Sequence, residues 1–220
     1  MPSDISFKGY TIIACGTLRR ELKHLRDSGF LDADKILYTT PGLHEHLDEF
    51  ERQLRKQLET AKNFSKKIII VYGLKCYLDP MNPMDIDTII EDIGGDIRRI
   101  NATTCIDMLI DTDEQAKVAG EKNIYWLPRG WVEYQKVVFK DWDAGLANET
   151  FPKHDKALML DALGAFEEYS INSPEKVLEF SDWMGIDLEP YKITLDRFKD
   201  LLVKCVTKSE LLKRKTMMKD

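Results

Sequence analysis

Most of the signatures that would name a function at once are missing from this sequence. No Cys-x-x-Cys pair occurs, which excludes a zinc ribbon or a ferredoxin-type cluster run. No Gly-x-Gly-x-x-Gly follows the first apolar run and no Walker lysine motif is present, so dinucleotide and P-loop binding have no support. Gly-x-Ser-x-Gly and His-Glu-x-x-His are absent as well, which removes the serine-hydrolase elbow and the zincin helix. The acidic stretch "DMLIDTDE" lacks the ligand spacing and central glycine of an EF-hand loop. No apolar run approaches the ~18 residues of a membrane helix, and "MPSDISFKGY" has no apolar core of a secretion signal. The cytoplasm is therefore the expected location, and no membrane partner is expected. The formal net charge is −6, which argues against a general binder of nucleic-acid phosphates.

What is present reads as an α/β chain. Its 220 residues, 43% of them hydrophobic, suffice for a substantial core. Tyr10 to Ala14, Ile36 to Thr39, Lys66 to Tyr72 and Ile124 to Leu127 are short runs rich in β-branched residues, and "KALMLDALG" is a further one. Each reads as a strand, and the continuous "KKIIIVY" suits a strand covered on both faces. Leu18, Leu22 and Leu25 give a helix stripe that Gly29 would stop, with Thr17 as its cap. Leu43, Leu47, Phe50, Leu54 and Leu58 recur at helical spacing. Helices are also expected over Ile86 to Ile93 before Gly94-Gly95, from Cys105 in a Thr104–Asp107 capping box, and from Trp131 to about Thr150. Two more follow, from Pro174 and from Leu195 to about Leu212. Residues 79 to 84 read as a loop, and 213–220 as a frayed tail. Strands alternating with helices predict a single Rossmann-like domain, residues 1–220, with a mainly parallel sheet and helices on both faces.

In such a sheet ligands gather beyond the carboxyl ends of the strands. Cys15 directly follows the first strand, His44 lies just past the second, and Cys76 stands three residues past Gly73, beyond the third. Cys105 opens a helix. Thiolates are the soft ligands that select zinc, copper(I) and iron–sulfur clusters. Helix N-termini would lower the thiol pKa of Cys15 and Cys105. Cys15, Cys76 and Cys105 with His44 would make a tetrahedral zinc site, and the three thiols alone would leave an open position or hold a cluster. Taken singly each cysteine also reads as apolar filler, and Cys205 reads as filler on the last helix. His46, His24 and His154 read as surface residues. The segment "YWLPRGWVEYQKVVFKDWDAGLANE" clusters aromatics around Arg129. It reads as an aromatic core, as a pocket in which Arg129 and Trp131 hold a flat or anionic ligand, or as a subunit interface.

The blocks "IIACGTLRREL", "YGLKC", "RRINATTCIDML" and "LPRGWVEYQKVVFKDWDAGLANE" resemble the motif blocks of DUF1638, a prokaryotic domain of unknown function. The likeness runs from about Ile12 to about Leu202. "PRGW" carries Arg129 inside the family's Pro-Gly-Trp block, and "YGLKC" is longer than the Tyr-Gly-x-Cys form of many members. The resemblance implies a Rossmann-like domain with a cysteine-lined site at Cys15, Cys76 and Cys105, and it supplies no activity. It further implies a setting in anaerobes and methanogens beside corrinoid-dependent methyltransferase genes. The expectation is therefore a metal-binding protein of methyl metabolism, holding zinc or an iron–sulfur cluster, with a corrinoid protein or methyltransferase as partner. Two rivals stand beside it. One is an accessory module that binds such a partner through the aromatic segment; the other is a metal-free thiol enzyme with Cys15 as nucleophile.

Overall fold

A computed structural model of the chain describes residues 5–77 and 84–217. The described residues form seven strands: β1 (Tyr10–Cys15), β2 (Lys35–Thr39), β3 (Lys67–Val71), β4 (Asp96–Arg99), β5 (Ile124–Pro128), β6 (Lys156–Asp161) and β7 (Leu188–Lys192). All pairings are parallel, so the chain is α/β and Rossmann-like as its alternation predicts. The strands form two sheets, with orders β2-β1-β3-β4 and β5-β6-β7.

The period-two alternation of a strand explains the layers of the first sheet. Ile12 and Ala14 of β1 and Ile69 and Val71 of β3 point to one face. There they are buried with Leu18, Leu22 and Leu25 and with Phe198, Leu201 and Leu202 of the helix Asp196–Met217. Ile13, Ile68 and Ile70 point to the other face, against Phe50, Leu54 and Leu58 of the helix Leu47–Ala61 and Ile86 and Ile89 of the helix Ile86–Ile93. Both faces are covered, which is why β1 and β3 read as continuous apolar runs. The second sheet buries Leu127, Ala157 and Met159 under Phe139, Phe151, Phe180 and Met184. Its opposite face sends Leu160 into the core of the first sheet.

Two strands escape the sequence pattern, both at sheet edges. β4 reads Asp-Ile-Arg-Arg, and β7 carries Pro190. An edge strand needs neither two apolar faces nor a full set of N–H donors, so charge and proline are tolerated there. The stretch from Trp131 to Thr150 is three short helices, Arg129–Glu133, Gln135–Val138 and Ala144–Thr150, rather than one. Leu43 lies in a separate turn of 3₁₀ helix before the helix Leu47–Ala61. Thr17 caps no helix: it lies in a 3₁₀ turn, Gly16–Leu18, and its hydroxyl accepts the Cys15 S–H at 3.2 Å. The expected 79–84 loop falls largely outside the described residues.

Candidate thiol site

The carboxyl ends of β1, β2 and β3 are drawn together by glycines that let backbones touch. A Cβ on Gly16 would lie 2.6 Å from the carbonyl oxygen of Thr39, and one on Gly73 would lie 2.5 Å from Thr104 Cα. Side chains have no room at such approaches. The Gly73 contact presses the loop after β3 against the loop after β4. Leu74 N–H donates to Ala102 at 3.0 Å and Lys75 N–H to Thr103 at 2.9 Å. The helix Cys105–Leu109 then starts at Thr104, whose hydroxyl accepts Asp107 N–H as the capping spacing predicts.

This packing brings the three strand-end thiols into each other's fields. Cys15, Cys76 and Cys105 are all partly buried. Burial pushes Cys76 up to about 12, and the charge of Cys15 adds to the rise. The backbone N–H groups of Gly73 and Cys105 pull the Cys76 thiol down. Burial also pushes Cys105 well above the usual thiol range, with Cys76 and then Cys15 adding to it. The helix start at Cys105 was expected to lower its pKa; desolvation and two neighbouring thiols outweigh a dipole built from only five helical residues. Two phenols border the group. The Tyr72 hydroxyl hydrogen-bonds Thr39 and lies beside Cys15 and Cys76. Tyr125, from the second sheet, is raised by burial and by Glu45 and Cys105. The site thus lies where the carboxyl end of the first sheet meets β5 of the second.

The other sequence candidates go elsewhere. His44 stacks on Trp131, with ring centroids 5.6 Å apart, and burial lowers its pKa. The charges acting on it are those of Glu45 and His46, not the thiols'. Arg129 is only 7% exposed. Its guanidinium lies 3.6 Å from Glu133 and 3.2 Å from Glu168, over the Tyr169 ring, whereas Trp131 packs on His44, Tyr125 and Phe139. His46 pairs with Asp141 at 3.2 Å. His154 is not isolated: it packs edge-on to Tyr125 and its Nδ1 lies 3.1 Å from the Phe151 carbonyl. Cys205 is buried on the last helix among Leu201, Leu202 and Val206. Tyr72 and Tyr125 are the neighbours of the thiols that sequence reading missed, because nothing in their spacing marks them.

The donor set suits a thiophilic ion, since three soft ligands share one desolvated place. Among the described residues no three His, Cys, Asp or Glu side chains stand in a group compact enough to hold a metal ion.

A family model described as "Protein of unknown function (DUF1638)" matches residues 38–202. The chain belongs to this family. Cys76 and Cys105 fall inside the matched span and Cys15 precedes it. No curated protein and no solved structure matches the chain.

Proposed function

We propose that this DUF1638 protein binds a soft metal, zinc or an iron–sulfur cluster, through Cys15, Cys76 and Cys105. The observation that carries the reading is the gathering of the three thiols in one buried place: burial raises both Cys76 and Cys105, with Cys15 adding to the rise at Cys76, and Cys76 and then Cys15 adding to it at Cys105. A metal cation deprotonates the thiols it binds. With zinc, three protein ligands leave a fourth position for a ligand or substrate thiol. Tyr125 and Tyr72 are the groups placed to border such a ligand. A role in methyl metabolism beside a corrinoid protein or methyltransferase rests on the family resemblance alone. Zinc titration of Cys76→Ser and Cys105→Ser tests the assignment: each should lose tight binding, and full retention in either would reject it.

A metal-free thiol site is the second reading. It is favoured by the absence of a compact ligand group among the described residues. The raised pKa values of Cys76 and Cys105 oppose either of them as its nucleophile, since the thiolate is the attacking form, and this reading assigns that role to Cys15.

A further inference from the structure

Arg99, the last residue of β4, belongs to the "RRINATTCIDML" block and is densely hydrogen-bonded beside the loops that carry Cys76 and Cys105. Its side chain is only 11% exposed. Nη1 donates to the carbonyls of Ile100 at 2.9 Å, Ala102 at 3.1 Å and Tyr72 at 3.4 Å. Nε and Nη2 donate to the two carboxylate oxygens of Asp87 at 2.7 and 2.9 Å. One guanidinium therefore ties together the end of β3, the loop after β4 and the helix Ile86–Ile93. The Ala102 carbonyl it holds is the one that also accepts Leu74 N–H. Leu74 opens the turn Leu74–Cys76, and residues 103–104 lead to Cys105.

We infer that Arg99 is the positioning residue of the thiol site, fixing the loop of Cys76 against the loop of Cys105. This deepens the metal-site reading and rests on it only for its purpose; the placement of the two thiols stands or falls by itself. Arg99 is a positioning residue because it acts through the two loops. Lysine cannot replace it. An ammonium keeps the charge but cannot reach three carbonyls and both oxygens of a carboxylate from one planar fork.

The test uses metal-free protein and phenylarsine oxide, which condenses with two neighbouring thiols, forming two As–S bonds and releasing one water. Wild-type protein should take one arsenical per chain bridging Cys76 and Cys105, read by mass spectrometry of the digest. Arg99→Lys should bind it at least about tenfold more weakly while Cys15 alkylation and the far-ultraviolet spectrum stay unchanged. Asp87→Asn, at a carboxylate that is 45% exposed, removes only the far anchor. It should weaken the bridge in the same direction by less, and it carries the test should Arg99→Lys fail to fold. Unchanged arsenical affinity in either folded variant, or a wild-type protein that forms no Cys76–Cys105 bridge, would overturn the inference. Because the probe needs no metal, a wild-type protein without zinc affinity but with this Arg99 dependence would reject the metal reading and leave the positioning role standing.

Discussion

The Cα of Gly130 faces the backbone of Thr17 so closely that a Cβ would lie 2.8 Å from the Thr17 carbonyl carbon. Gly130 is the second residue of the helix after β5 and Thr17 lies in the turn after β1, so this approach joins the two sheets beside Cys15. Gly130→Ala should therefore push the sheets apart and destabilise the protein by about 3 kcal/mol or more. The midpoint of urea unfolding measures it. A midpoint within error of wild type would mean that the seam can yield.

A buried acid lies along the same seam. Glu21 is 2% exposed, and one of its carboxylate oxygens has no hydrogen-bond partner. Burial raises its pKa from 4.5 to about 7, and Glu133 and Asp161 add to the rise against the pull of Arg129. The folded protein then binds more protons than the unfolded chain between pH 4.5 and 7. Stability should fall as pH rises through that window, by at most about 3 kcal/mol from this group. Glu21→Gln should flatten this part of the stability–pH curve. An equally steep curve in the variant would locate the titrating group elsewhere.

The strands that bury both faces were legible, because Ile68, Ile69 and Ile70 face opposite cores in turn. The edge strands were not, because Pro190 and the arginines of β4 are permitted only by their position at an edge. Nor was the split into two sheets, since which strand pairs with which depends on contacts between distant segments such as Gly130 and Thr17. At the site, topology alone placed Cys15 and Cys76 at strand ends and Thr104 as a cap. The burial that raises Cys76 and Cys105, the seat of His44 on Trp131 and the enclosure of Arg129 are all properties of packing, which spacing does not encode.

The raised thiols have a kinetic consequence. With Cys76 near 12 and Cys105 pushed well above the usual thiol range by burial, few of either are thiolates at pH 8. Both should react with iodoacetamide at least about tenfold more slowly than an exposed cysteine in the metal-free protein. Alkylation followed by peptide mass spectrometry reads each site. Rapid modification of Cys76 would favour the metal-free thiol reading.

The loop junction can be probed from its other side. Thr104→Ala removes the hydroxyl that accepts Asp107 N–H at 3.2 Å and should cost about 1 kcal/mol. Gly73→Ala should cost more, because a Cβ would press on the Thr103–Thr104 backbone, and it should separate Cys76 from Cys105. Zinc affinity should fall in Gly73→Ala more than in Thr104→Ala. Equal affinities in the two folded variants would show that the junction does not set the thiols.

The central claim is that Cys15, Cys76 and Cys105 hold a metal together, and elemental analysis with an absorption spectrum on protein purified without oxygen tests it most directly. The account predicts about one zinc per chain with no visible band, or iron with broad visible absorption, and loss of either when all three cysteines are changed to serine. A wild-type protein that carries neither metal, and takes up none when zinc or iron and sulfide are supplied, would contradict it.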